Sequence, residues 1–97
     1  MEKFKISIIT VVKNGMPYLK EAINSFNIQT YENKEHIIVY SQSIDDTENY
    51  LLSLKNKKII KDKVSTNRYG SLNLALKYCM GDYIGILHSD DFFDNQN

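Results

Sequence analysis

The chain has 97 residues, balanced at 12 basic and 12 acidic side chains, with 42% hydrophobic and 25% charged residues. That length allows one domain, burying about 65% of its unfolded surface. The composition excludes a disordered chain, a collagen-like repeat and the basic footprint of a nucleic-acid binder. A lone cysteine, Cys79, excludes an internal disulfide framework and a cysteine-rich zinc site, and fits a reducing, cytoplasmic setting.

No apolar run approaches the roughly 20 residues of a membrane span. The apolar N-terminal stretch is short, β-branched and followed by Lys13-Asn14-Gly15, so it reads as a strand rather than a leader. Phe4 to Val12 suits a strand buried on both faces. Pro17 fits the first position of a helix, along which Leu19, Ala22, Ile23 and Phe26 form an apolar stripe. Ile37 to Tyr40 predicts a second strand, with His36 at its start as a surface residue. Ser41 to Asp46 reads as a polar loop, its Asp45-Asp46 end favouring a helix start. Tyr50, Leu51 and Leu54 predict a short helix.

Ile59-Ile60 predicts a short third strand. The five lysines from Lys55 to Lys63 mark a solvated edge around it. Ser65-Thr66-Asn67 offers helix caps. Tyr69, Leu72, Leu76 and Cys79 then share a helical face, with Cys79 a small core residue. Tyr83 to Leu87 predicts a fourth buried strand, followed at once by His88-Ser89-Asp90-Asp91. Strand and helix alternate throughout. That order predicts an α/β fold, a Rossmann-like parallel sheet of about four strands with helices on both faces. Ligands of such sheets bind beyond the carboxyl ends of the strands.

No G-x-G-x-x-G, P-loop or G-x-S-x-G pattern occurs. The informative feature is the Asp90-Asp91 pair at the end of the fourth strand. Adjacent carboxylates repel unless a cation or hydrogen bonds compensate. Hard oxygen ligands suit Mn²⁺ or Mg²⁺, which could neutralise a diphosphate. The alternative is an ordinary acidic strand end.

Three blocks resemble the N-terminal half of family 2 glycosyltransferases, which have the GT-A fold: Ser7 to Asn14, Leu19 to Tyr31, and Asn73 to Phe93. The last carries Asp90-Asp91 where that family has its D-x-D metal motif. The resemblance covers almost the whole chain. It implies one nucleotide-diphospho-sugar-binding domain over residues 1–97, lacking the acceptor-binding half. It implies nucleotide-sugar contacts at Val11, Lys13, Tyr40, Ser41, Ser65, Arg68 and Asp90. It also implies Mn²⁺ or Mg²⁺ at Asp90 and Asp91, with His88 in place of the motif's first acid.

The implied reaction is metal-dependent, inverting transfer from a nucleotide-diphosphate sugar, most often a UDP-sugar, to a glycan or lipid-linked acceptor in polysaccharide biosynthesis. The cytoplasmic face of a membrane is the expected place. Two departures stand out. Tyr40-Ser41-Gln42-Ser43 holds no acid where the family has one after the second strand, and Ser65 stands where many members carry another acid. No residue presents itself as the general base. The competing reading is an inactive remnant acting only as a nucleotide-binding or assembly module. An open sheet edge near the fourth strand and Phe92-Phe93 predicts self-association.

Overall fold

The computed structural model describes residues 4–13, 18–41, 46–64 and 68–87. Strands β1 (Ile6–Val12), β2 (Lys34–Tyr40), β3 (Lys58–Lys61) and β4 (Tyr83–Ile86) alternate with helices α1 (Tyr18–Asn27), α2 (Thr47–Leu52) and α3 (Arg68–Leu76). All strand pairs are parallel, in the order β3-β2-β1-β4. This is the expected α/β sheet. Among the described residues no helix is long and apolar enough to cross a membrane.

Strand alternation divides the core into two layers. Val12, Ile38 and Tyr40 pack with Leu19 and Ile23 of α1 and Leu51 of α2, while Ile8 meets Ala22 and Phe26. On the opposite face Ile9, Ile37 and Val39 pack with Ala75 of α3. Lys34 closes the end of α1, its Nζ donating to the carbonyls of Phe26 at 2.6 Å and Gln29 at 2.9 Å.

Three expectations are corrected. Strand β4 is not buried: it is an edge strand of the sheet, and its Tyr83, Ile84 and Ile86 are exposed. His36 is not a surface residue but is 1% exposed. Strand β2 starts at Lys34, so residues 36, 38 and 40 all face α1. The His36 ring lies 4.5 Å from the Phe26 ring, and its Nε2 is 2.8 Å from Thr10 Oγ1. The buried stripe of α3 is also rotated. Tyr69 and Leu76 are exposed, whereas Ser71 and Ala75 are buried and Leu72 is partly so. Small side chains at 71 and 75 let the helix close on β1 and β2. Cys79 does pack against that layer.

The amino ends of the strands converge on one carboxylate. Glu35 accepts from the Ser7 hydroxyl, from the Met80 N–H at 2.6 Å and from Lys58 Nζ at 3.1 Å. Burial alone would raise its pKa, but those donors hold it down at about 2. The same Ser7 hydroxyl accepts the Gly81 N–H at 2.8 Å. The Lys5 carbonyl accepts the N–H groups of Asp82 and Tyr83, starting β4 beside β1. A Cβ on Gly81 would lie 2.5 Å from Ser7 Oγ, 2.7 Å from Ser7 N and 2.8 Å from Lys5 O. Two of these are backbone atoms, so Gly81→Ala should destabilise the fold by about 2–3 kcal/mol in urea titrations.

Burial holds the His36 imidazole at a pKa of about 3, against 6.5 in the open chain, and Lys57 and Lys34 add to the effect. The unfolded chain therefore takes up a proton below pH 6.5 that the folded chain refuses until near pH 3. Stability falls across that window as pH drops, by about 2 kcal/mol at pH 5. Glu35 contributes its loss only below pH 4.5, so the slope from pH 6.5 to 5 reports His36. Urea midpoints against pH should show this slope in the parent chain and a flat line in His36→Gln.

Candidate functional site

The sheet order decides where a ligand crevice forms. From β1 the chain moves outward to β2 and β3, then returns to place β4 on the other side of β1. Strand order therefore reverses at β1, and ligands of such open sheets bind beyond the carboxyl ends of the strands at a reversal of this kind. The pairing puts Val12 opposite Tyr40 and Tyr40 opposite Lys61, so β1, β2 and β3 end level. Strand β4 stops at Ile86 beside Ile9, and the Leu87 N–H continues the ladder to the Ile9 carbonyl at 2.9 Å.

The expected site residues fall at these ends. Val11 is half-buried near the end of β1, and Lys13, exposed, follows the strand. Ser41 follows β2, its N–H donating to the Val12 carbonyl at 3.1 Å. Arg68 opens α3. Ser65, His88, Asp90 and Asp91 lie outside the described residues. Among the described residues no cluster of His, Cys, Asp and Glu could hold a metal ion.

Tyr40 sits at the right strand end, but its side chain is engaged elsewhere. Its ring is 4% exposed in the α1 layer, and its hydroxyl donates to Glu48 Oε2 at 2.7 Å. Burial, with Glu48 alongside, raises the phenol to about 12. Glu48 is held low by that hydrogen bond and by Lys61, whose Nζ lies 3.0 Å away. What Tyr40 offers at the strand ends is therefore backbone.

Asp62 is the residue that sequence reasoning missed. It follows β3 directly and is 6% exposed. Its N–H donates to the Tyr40 carbonyl at 2.8 Å. Its Oδ1 accepts the Val64 N–H at 3.0 Å, and its Oδ2 accepts the Ser71 hydroxyl at 2.7 Å. One side chain thus joins the β3 end, Val64 just after it and Ser71 of α3. The available signal was an acid immediately after a strand, at a carboxyl end. Its lysine neighbours made it look like part of a solvated loop. A double-mutant cycle of Asp62→Ala and Ser71→Ala should give a coupling of about 1.5–3 kcal/mol, the range for a hydrogen bond to a charged group.

The sequence model of glycosyl transferase family 2 matches residues 7–97. An uncharacterized glycosyltransferase of Rickettsia typhi is 39% identical over 88 residues, or 91% of this chain. The Escherichia coli protein WfaP, a UDP-Glc:alpha-D-GlcNAc-diphosphoundecaprenol beta-1,3-glucosyltransferase, is 36% identical over 91% of the chain. The chain spans 28% and 36% of the lengths of these two relatives. Residues 1–349 of Staphylococcus aureus TarS, solved with UDP, superpose with a TM-score of 0.82 at 26% identity, over 91% of this chain and 28% of that one. The Pyrobaculum calidifontis mannosyltransferase PcManGT, solved with GDP-Man and Mn²⁺, shares the fold at a TM-score of 0.83 and 17% identity, over 99% of this chain and 30% of that one. With the parallel sheet, its switch point beside β1 and a family match over nearly its whole length, this chain belongs to glycosyl transferase family 2 and carries part of its GT-A fold.

Proposed function

We propose that residues 1–97 form the donor-binding unit of a family 2 glycosyltransferase and bind a nucleotide-diphosphate sugar, most plausibly a UDP-sugar, in the crevice between the ends of β1 and β4. The observation that carries this reading is the reversal of strand order at β1, which sets β4 parallel beside β1. In support, TarS 1–349, part of which superposes on this chain, was solved with UDP, and WfaP is named for UDP-Glc as donor.

In this reading Val11, Lys13, Ser41 and the backbone of Tyr40 border the nucleoside, while Ser65 and Arg68 approach the base or diphosphate. A guanidinium fork suits phosphate oxygens better than a lysine point charge does. Asp90 contacts the ribose. Asp90 and Asp91, with His88 beside them, are a hard donor set suited to Mn²⁺ or Mg²⁺, and PcManGT was solved with Mn²⁺. When bound, such a cation would offset the charge of the diphosphate.

The transfer itself, inverting and onto a glycan or lipid-linked acceptor at the cytoplasmic face of a membrane, needs an acceptor site and a general base. No residue of this chain is assigned to that role. The unit alone therefore binds donor and turns it over little or not at all.

A second reading, assembly, is favoured by strand β4. Its Tyr83, Ile84 and Ile86 are 58%, 50% and 51% exposed, and the strand carries no charge. The opposite edge, β3, is flanked by Lys58 and Lys61. Unguarded edges pair, so self-association through β4 accompanies donor binding.

Calorimetry of the chain with UDP, UDP-sugars and GDP, with and without Mn²⁺, tests the first reading. Heat with uridine ligands only when metal is present, lost in Asp91→Ala, supports it. Silence across the panel would sink it. Light scattering tests the second: a species of twice the chain mass should appear at high concentration and fall away in Ile84→Lys.

A further inference from the structure

The balanced charge of the chain conceals a polarised surface. Residues 55–77 carry six lysines and Arg68 against a single acid, Asp62. That acid is 6% exposed and has both oxygens occupied, one by the Val64 N–H and one by the Ser71 hydroxyl. It therefore shows little charge to solvent. Two of the lysines are matched, Lys58 by Glu35 and Lys61 by Glu48. Lys63 and Lys77 have no ion pair among the described residues.

Three of these lysines, Lys61, Lys63 and Lys77, line an open groove of about 550 Å³ between the end of β3 and α3. Lys61, Lys63 and Val64 form one wall, and Asn73, Lys77 and Tyr78 the other. Val64 is 87% exposed and Tyr78 44% exposed. Tyr69, one helical turn before Asn73, is 74% exposed. Strand β3, whose end borders the groove, is separated from β1 by β2.

We propose that this lysine groove is a docking surface for anionic phospholipid headgroups. Lysines on separate elements can reach separate headgroup phosphates, each adding to the attraction of a negative bilayer surface. The exposed Val64 and Tyr78 of the same lining suit the interfacial zone, where rings and short apolar groups sit at headgroup depth. A compact free phosphate would be held by convergent donors at a single point. Here the cations are spread along an open groove, with apolar groups in the same lining, so a surface of many phosphates fits better. Its cations are Lys61, Lys63 and Lys77, none of which is assigned to the donor, so the proposal does not depend on donor binding.

Co-sedimentation of the full chain with vesicles tests it. Vesicles containing phosphatidylglycerol should bind the chain, and pure phosphatidylcholine vesicles should not. Binding to the anionic vesicles should fall steeply with added salt. The Lys63→Ala/Lys77→Ala double variant should lose roughly 25-fold in apparent affinity, about fivefold per lysine. Its urea midpoint should be unchanged, because both side chains are exposed. Lys20→Ala, on α1, should bind within about twofold of the parent. Equal binding to both vesicle types, or an undiminished double variant, would overturn the proposal. Release by inorganic phosphate beyond that caused by sodium chloride of the same ionic strength would also overturn it, in favour of a compact anion site.

Discussion

The carboxylate of Glu35 is the interaction on which the rest of this structure depends. It sits on β2, yet it receives the Ser7 hydroxyl from β1, the Met80 N–H from the segment leading into β4, and Lys58 from β3. All four strands are tied at their amino ends through one ion. Strand β4 has only four residues, too few to find its place by ladder hydrogen bonds alone. Its position is set by this clamp and by the close approach of Gly81 to Ser7, which leaves no room for a side chain. The place of β4 beside β1 is therefore set at the amino ends of the strands.

The carboxyl end is organised differently. There the links are local and join one connection to the next: Ser41 to Val12, Asp62 to Tyr40, and Asp62 again to Ser71 and Val64. Such links hold the bases of loops while leaving their outer parts to a ligand, as sites on a rigid scaffold require. Tyr40 shows the division within one residue, its ring in the core and its backbone at the strand end. The two edges also differ in kind. Strand β3 is guarded by lysines that are partly paired and partly turned toward a groove, whereas β4 offers uncharged, exposed apolar side chains. One edge is suited to a charged surface and the other to a further strand.

Much of the fold was legible from residue order. Runs of Ile and Val at regular intervals, each followed by a helical stripe, leave few alternatives to a parallel sheet covered on both faces. The α1 stripe was legible because Leu19, Ala22, Ile23 and Phe26 are apolar at helical spacing. The α3 stripe was not, because its inward residues include Ser71 and Ala75, and small or polar side chains give periodicity little weight. His36 was misplaced for a related reason. A histidine at a strand start reads as a surface residue until the strand is seen to begin two residues earlier and the ring to meet Phe26 and Thr10. Of the candidate site, the positions at strand ends followed from the alternation alone. Asp62 did not, since nothing local distinguishes a buried acid from a solvated one among lysines.

The sequence by itself determined the element order, the parallel class of the sheet and the family, because these rest on local periodicity and on short runs of residues. Only the tertiary structure decided the strand order, the roles of Glu35 and Gly81, and the burial of His36 and Asp62. Each of those depends on contacts between residues tens of positions apart: Ser7 with Gly81, Thr10 with His36, Glu35 with Met80. A neutral total of charges says nothing about where the charges lie. Folding gathers Lys61, Lys63 and Lys77 around one groove and turns Asp62 inward.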